Sequence, residues 1–164
     1  MSDLAMESGS GRYRQLGRGD AACLAELQAA SFADTQPWDA KAMAELLAMP
    51  GAFGFVVYLG KQPRGYLLAR LAASEAEIVS LAVHPVARRK GLAQALLRLL
   101  VRQVAAQGGD RVFLEVAETN VPARRLYDGF AFREVGRRPG YYRGKAGEAV
   151  AALIMAYTFE SSGS

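Results

Sequence analysis

Apolar positions follow two different spacings along this chain, and each spacing predicts a different kind of element. Runs that alternate or contain β-branched residues predict strands, and they lie at 13–16, 53–59, 65–71, 78–83, 111–117, 130–135 and 150–159. Apolar residues three and four apart predict helices, which begin near Asp20, Asp39, Leu92 and Asn120. This order predicts an α/β fold with a mixed central sheet of about six to seven strands flanked by about four helices.

Local signals define the ends of several of these elements. Asp20, Asp39 and Asn120 precede helical patterns and are predicted N-caps, and the glycines at 108–109 and at Gly129 predict where two helices end. The first helix should bury one apolar face, formed by Cys23, Leu24, Leu27 and Ala30. The polar segment 136–148, which carries two tyrosines, is predicted to connect the last two strands.

Size and composition restrict the class of protein. With 164 residues, 51% of them hydrophobic, the chain is long enough for one domain with its own core. We expect that domain to span 11–160, with flexible termini at 1–10 and 161–164. No apolar run reaches the roughly 20 residues that cross a bilayer, and no signal-peptide pattern opens the sequence. The single Cys23 cannot form an internal disulfide, so a reducing cytoplasm is the expected compartment.

Charge is divided unevenly between the two halves of the chain. The net charge is −2 over residues 1–80 and +6 over residues 81–164. This asymmetry predicts that the C-terminal half binds a polyanion. Nucleic acid is one candidate, because the segment 137–145 combines cations with aromatic residues. Since no signature of a known nucleic-acid-binding module occurs in the sequence, we do not expect nucleic acid as the partner.

Three consecutive cations, Arg88, Arg89 and Lys90, stand just before the helix that begins near Leu92. The positive end of the helix dipole disfavours nearby cations by about 0.3–1 kcal/mol each, so their presence needs a reason. Free backbone N–H groups, a glycine at 91 and flanking cations would together form a cradle for phosphate. A solvated basic turn is the alternative. The stretch matches neither G-x-x-x-x-G-K-[ST] nor G-x-G-x-x-G.

The loop resembles the acetyl-CoA-binding motif of the GNAT superfamily of N-acetyltransferases, [RQ]-x-x-G-x-[GA]. Arg88, Gly91 and Ala93 stand at its defined positions, after a strand and before a long helix. The resemblance extends over nearly the whole chain and implies the GNAT fold with acetyl-CoA as cosubstrate. It implies that the acetyl carbonyl is held by backbone amides at the strand end and the pyrophosphate by the loop, so that the cofactor-binding residues are Leu81, Ala82, Val83, Arg88, Arg89, Lys90, Gly91, Leu92, Ala93 and Gln94.

Glu115 is the one charged residue inside the strand predicted at 112–116. A strand buried on both faces should be apolar throughout, and burying an unpaired carboxylate costs several kcal/mol. Glu115 is therefore a candidate for catalysis. An ion pair with a neighbouring arginine, or a solvent-exposed strand face, would explain it without a catalytic role. Glu118, three residues later, is the alternative base if Glu115 is paired.

The pattern LEVxxxNxxAxxLYxxxGF, from Leu114 to Phe130, resembles the bacterial RimI type of GNAT enzyme. That type acetylates the N-terminal alanine of a small-subunit ribosomal protein. The resemblance implies Glu115 as general base, Tyr127 as general acid and a cofactor contact for Asn120. Without the resemblance, Tyr127 would be interpreted as a core aromatic that packs its helix on the sheet.

Three aromatic residues are candidates for binding the acceptor. Tyr141 and Tyr142 resemble a tyrosine pair that clamps the peptide backbone in N-terminal protein acetyltransferases, and the alternative is a pair of surface aromatics on a hairpin. Trp38 resembles a residue of the RimI-type loop between the first two helices, which borders the peptide site. An anchor for the second helix is the alternative for Trp38.

Three hypotheses follow for the function. The first is acetyl transfer from acetyl-CoA to the N-terminal α-amine of a protein, with a ribosomal protein as the candidate partner. The second is a GNAT enzyme that acts on a small amine, an antibiotic or a protein lysine. The third is a non-catalytic acyl-CoA-binding or RNA-binding module. No metal is expected, and the oligomeric state stays open.

Overall fold

A computed structural model describes residues 11–32 and 38–159. The predictions for the termini and for the loop at 33–37 fall outside these residues. The described chain contains seven strands and four α-helices. The strands are β1 (Gly11–Gln15), β2 (Ala52–Leu59), β3 (Gln62–Ala72), β4 (Glu75–Val83), β5 (Arg111–Ala117), β6 (Arg133–Arg143) and β7 (Ala149–Thr158). The helices are α1 (Ala21–Ser31), α2 (Ala40–Leu47), α3 (Leu92–Ala106) and α4 (Val121–Gly129).

All seven strands form one mixed sheet in the order β1-β2-β3-β4-β5-β7-β6. β4 and β5 pair in parallel, and the other strand pairs of the described chain are antiparallel. The α3 helix provides the crossover that a parallel pair requires. The predicted α/β architecture, with its number of strands and helices, is therefore confirmed.

The parallel pair is short, and this shapes the whole molecule. β4 and β5 pair only from Glu75 with Arg111 to Glu77 with Phe113. From Ile78 onward, β4 keeps β3 as its neighbour, while β5 keeps β7. The two strands therefore diverge in the middle of the sheet and open a cleft between them.

Helices cover both faces of the sheet and form two buried clusters. On one face α3 buries Leu96 and Leu100 against strand residues such as Leu114. On the other face, residues of α1 and α2 pack against β3, where Tyr66 and Leu68 are fully or almost fully buried.

A β-bulge in β4 decides which face each of its residues occupies. Leu68 pairs with Ser80 but Ala69 pairs with Ile78, so Val79 is the extra residue. A bulge interrupts the regular alternation of side chains. As a result Ile78 packs in the α3 cluster and Ala82 in the α1–α2 cluster, although both would share one face of a regular strand.

The last strand pair differs most from the sequence prediction. The strand predicted at 130–135 begins at Arg133 and continues to Arg143, so most of the predicted connection is part of β6. β6 lies at the edge of the sheet and pairs with β7 across two register shifts. An edge strand tolerates polar and charged residues, which is why its sequence lacks the apolar pattern of a strand.

Two predicted helix ends also differ in the structure. Asp39 caps α2 by accepting a hydrogen bond from the Ala42 N–H, as predicted. Asp20 occupies the predicted N-cap position of α1, but its side chain makes no capping hydrogen bond, because its carboxylate binds Arg14 and accepts the Gly17 N–H. Gly129 belongs to α4, and the left-handed conformation that follows the helix falls on Ala131, whose φ is 73°.

Candidate active site

The loop before α3 presents backbone donors without a side-chain cap. Gly91 precedes the helix with φ 76° and offers no side chain to the first N–H groups, and the first helical hydrogen bond runs from the Ala95 N–H to the Gly91 carbonyl. Arg89 is also left-handed, with φ 65°, although this conformation is strained for a residue with a Cβ. Free N–H groups at the start of a long helix are suited to binding an anion.

A pocket of about 390 Å³ lies over this loop. It is lined by Val83, Ala87, Arg88, Arg89, Gly91, Leu92, Ala93, Gln94 and Leu126. Most of the predicted cofactor-binding residues therefore surround one pocket. Lys90 is exposed and is not among its lining residues, while the Ala82 side chain is buried in the α1–α2 cluster.

Arg88 makes a contact that the sequence did not predict. Its Nη2 donates to the Ser31 carbonyl oxygen, 3.1 Å away at the last residue of α1. The Ser31 hydroxyl donates in turn to the Leu27 and Val83 carbonyls at 2.7 and 3.2 Å. Arg88 thus lines the pocket and also ties the loop to α1.

A second cavity, of about 500 Å³, occupies the cleft between the diverging strands. Ile78 to Leu81 of β4 and Leu114 to Ala117 of β5 line it. Six of the predicted site residues lie on its walls: Leu81, Glu115, Tyr127, Trp38, Tyr142 and Asn120. The structure therefore brings together residues that are up to 104 positions apart in the sequence.

Glu115 lies on a strand with one buried face and one partly open face. Val112, Leu114 and Val116 are buried, while Glu115 alternates with them and its side chain is 27% exposed. The sequence suggested a strand that is buried on both faces. In the structure only one face of β5 is buried. The Glu115 Oε1 atom lies 3.4 Å from Arg138 Nη2. The ion pair with an arginine that the sequence left open as an alternative is therefore present, and the carboxylate also lines the cavity.

Glu118, the alternative base, lies elsewhere. Its Oε1 accepts a hydrogen bond from Arg137 at 3.0 Å, its side chain is 42% exposed, and it does not line the cavity. Asn120 does line the cavity, and its Oδ1 accepts the Ala123 N–H at 3.3 Å as the N-cap of α4. The capping role predicted for Asn120 is therefore present.

Tyr127 lies on α4 and is buried, with 8% of its surface exposed. Its ring meets Phe132 edge-to-face at 5.5 Å, so it packs in the core as well as lining the cavity. Burial raises the pKa of the phenol well above its ordinary value. Among the described residues, its hydroxyl has no hydrogen-bond partner.

The two predicted clamp residues occupy different positions. Tyr142 lines the cavity, whereas Tyr141 is 55% exposed, lies outside the lining, and meets Tyr142 edge-to-face at 5.0 Å. Burial raises the pKa of Tyr142, and the negative charge of Glu115 raises it further; both residues line the same cavity. The Arg138 guanidinium lies 5.5 Å from the Tyr141 ring centroid.

Gln28 is a cavity residue that the sequence did not identify. The predicted apolar face of α1 included Ala30, but Ala30 is exposed and Gln28 is buried, at 7%. Its Oε1 accepts the backbone N–H of Trp38, and both residues line the cavity. A glutamine on the margin of an apolar face gives no sequence signal that separates it from other polar helix residues.

Residues 11–32 and 38–159 contain neither a metal-binding cluster nor a membrane-spanning helix. No set of three or more His, Cys, Asp or Glu side chains is arranged to hold a metal ion. None of the helices in this part of the chain is both long and apolar enough to cross a membrane.

Comparison with known proteins agrees with the fold. The model of the acetyltransferase (GNAT) family matches residues 22–132, which include nearly all of α1, the loop before α3, Glu115 and Tyr127. The chain belongs to the GNAT family of acetyltransferases. The predicted family and enzyme class are therefore confirmed, and acetyl-CoA is the acetyl donor of GNAT acetyltransferases.

Within the family, the chain is similar to enzymes that modify a ribosomal protein. It is 34% identical over 91 residues to the ribosomal protein bS18-alanine N-acetyltransferase of Haemophilus ducreyi, covering 56% of this chain and 63% of that protein. The chain thus spans less than two thirds of that relative's length. It is 31% identical over 126 residues to a Bacillus subtilis protein provisionally given the same activity, covering 76% and 82% of the two chains.

A solved structure extends the similarity to the fold as a whole. The ribosomal-protein-S18-alanine N-acetyltransferase of Escherichia coli superposes with a TM-score of 0.84 at 25% identity. The match covers 93% of this chain and 96% of the Escherichia coli chain.

Proposed function

We propose that this protein transfers an acetyl group from acetyl-CoA to the N-terminal α-amine of a protein. The alanine of ribosomal protein bS18 is the candidate acceptor, because the similar proteins of Haemophilus ducreyi and Escherichia coli carry that activity in their names. One observation carries the proposal: the divergence of β4 and β5 opens a cavity that is lined by Glu115 and Tyr127 and lies beside the pocket over the loop before α3.

The donor fits the loop and the pocket over it. Acetyl-CoA supplies the thioester that is cleaved, and its diphosphate matches a helix start with free N–H groups and nearby cations. A Cβ built on Gly91 would meet nothing within 4 Å, so the backbone there is open to a ligand. Arg89 adds positive charge at the pocket wall.

The open side of β4 provides further donors. Backbone N–H groups alternate between the two sides of a strand, and beyond Glu77 β4 has β3 on one side only. The other N–H groups therefore point into the cleft. At Leu81 to Val83 these groups can hold the acetyl carbonyl oxygen and stabilise the negative charge that develops on it.

The two pockets are adjacent, so the donor and the acceptor can meet. Val83 and Leu126 line the pocket over the loop, while Leu81 and Tyr127 line the cavity in the cleft. Leu81 and Val83 lie close together on β4, and Leu126 and Tyr127 are adjacent on α4. The thioester therefore has a place at the junction, with the acceptor amine approaching from the cleft.

Glu115 serves as the general base in this proposal. An amine attacks only when neutral, and at pH 7 an α-amino group of pKa about 7.8 needs about 1 kcal/mol to lose its proton, whereas a lysine needs about 4.6 kcal/mol. A carboxylate acting through one water meets the smaller demand. Arg138 contacts Oε1 of Glu115, and a carboxylate has a second oxygen that can accept a proton.

Tyr127 serves as the donor to the departing sulfur. Its raised pKa keeps the phenol protonated at any working pH. Since an ordinary thiol has a pKa of about 8.5, complete proton transfer from this phenol is uphill. Hydrogen-bond donation to the developing thiolate is therefore the larger part of the role that we assign to Tyr127.

The experiment that tests this function is a direct competition between acceptors. The protein is incubated with labelled acetyl-CoA and a peptide that begins with the N-terminal alanine of bS18, and mass spectrometry locates the label. A matched peptide with a blocked N-terminus and an internal lysine is the control, and a panel of small amines is assayed in parallel. Label on the α-amine supports the proposal, while label on the lysine or the small amines alone contradicts it.

A further inference from the structure

Outside the catalytic pair, Gln28 is the one residue of polar or charged type that is buried in the described part of the chain. It lies on α1 close to the buried apolar residues Leu24 and Leu27, and it lines the cavity in the cleft. Burying an amide without a partner is costly. Here the partner is the Trp38 N–H, at the point where the chain approaches the start of α2.

We propose that Gln28 is a positioning residue that fixes the Trp38 wall of the acceptor cavity and thereby sets the affinity for the acceptor peptide. The inference rests on the proposed function, because it assigns the wall to that acceptor. It adds a residue with no role in the chemistry of acetyl transfer itself.

The geometry of α1 supports this role. Two hydrogen bonds connect the last turn of the helix to residues that line the pocket over the loop. The Ser31 hydroxyl donates to the Val83 carbonyl, and Arg88 donates to the Ser31 carbonyl. Gln28, one turn earlier, holds Trp38. The end of α1 is thus held in place, and the Gln28 side chain connects Trp38 to it.

The hydrogen bond matters because the Trp38 side chain itself is only partly packed. Trp38 is 37% exposed, so its indole is only partly packed. The adjoining Asp39 side chain is committed to capping α2. If the Gln28 side-chain oxygen is removed, water can bind the Trp38 N–H in its place. The fold is then kept, but Trp38 is no longer held in one position.

Trp38 is the only tryptophan of the chain, which makes the wall directly observable. In Gln28→Leu the side-chain volume is similar and the hydrogen-bond acceptor is gone. We expect faster hydrogen exchange at the Trp38 amide and stronger acrylamide quenching of tryptophan fluorescence. We also expect the KM for the alanyl peptide to rise about fivefold or more, as loss of one buried hydrogen bond implies, while the kcat and the KM for acetyl-CoA change less than about twofold.

Leu24→Val is the matched control. Leu24 is fully buried on the same helix, so this variant loosens the packing of α1 without touching the hydrogen bond to Trp38. It should lower Tm and leave the Trp38 exchange and the KM for peptide unchanged. An equal rise of that KM in both variants would overturn the proposal, and so would wild-type exchange and quenching at Trp38 in Gln28→Leu.

The two levels of inference fail in different ways. A wild-type protein that does not acetylate the peptide contradicts the proposed function and removes the basis of this inference. A wild-type protein that is active, with a Gln28→Leu variant of unchanged KM for peptide, contradicts the role of Gln28 alone.

Discussion

Replacement of Tyr127 by phenylalanine separates a catalytic role of this residue from its role in the core. The substitution removes one hydroxyl and keeps the ring that meets Phe132 at 5.5 Å. Since that hydroxyl has no hydrogen-bond partner among the described residues, no structural bond is lost. Because Tyr127 lines the cavity and its ring packing is kept, the Tm of Tyr127→Phe should stay close to the wild-type value.

The kcat of Tyr127→Phe, by contrast, should fall. Loss of one donor aimed at developing negative charge typically lowers kcat by about 10²-fold, which corresponds to about 2.7 kcal/mol of transition-state stabilisation. The KM for acetyl-CoA should stay close to the wild-type value, because the pocket over the loop is intact. Release of CoA thiol, measured with saturating alanyl peptide, gives kcat for both proteins.

The pH dependence provides a second measurement on the same variant. Because burial raises the pKa of Tyr127 above its ordinary 10.0, deprotonation of this phenol should produce no fall in kcat below pH 10. A kcat of Tyr127→Phe within about threefold of wild type would refute the role in leaving-group stabilisation. A wild-type kcat that declines near pH 9 and loses this decline in the variant would refute the effect of burial.

Three further predictions follow. Glu115→Gln should lower kcat about 10²-fold or more with acetyl-CoA binding retained, whereas Glu118→Gln should stay within about threefold; equal losses in steady-state assays would contradict the choice of base. Arg89→Gln should raise the Kd for acetyl-CoA severalfold and weaken its salt dependence, as measured by calorimetry. Arg98→Gln is the control, because Arg98 is exposed further along α3, and it should change the Kd little. The pKa of buried Tyr66 is raised to about 12, so the unfolded state loses its proton first and the free energy of unfolding should fall above pH 10 by about 1.4 kcal/mol per pH unit. Urea titrations should show a shallower fall in Tyr66→Phe, and an identical slope would contradict that assignment.

Features that depend on a short stretch of sequence could be predicted from it. The loop before α3 is recognisable because its cations, glycine and helix are contiguous, and the structure places most of these residues around one pocket. Glu115 stood out because a charge inside an apolar strand is unusual. The reason first given, burial on both faces, was wrong, since one face of β5 is only partly buried.

Other features depend on partners that are far away in the sequence. The extent of β6 is set by pairing with β7, and backbone hydrogen bonds of this kind leave little trace in side-chain pattern. Arg88 was expected beside the ligand, but its contact with Ser31 links residues 57 positions apart. Nothing near Arg88 in the sequence identifies α1 as its neighbour.

The sequence by itself determined the order of strands and helices, the family and the basic loop, because each follows from the spacing of residues close together in the chain. Only the tertiary structure decided how far β4 and β5 stay paired, and hence where the cleft opens. It also decided that Gln28 reaches Trp38 and that Tyr142, but not Tyr141, lines the cavity. Packing and register fix these relations, and both depend on the whole sheet being assembled.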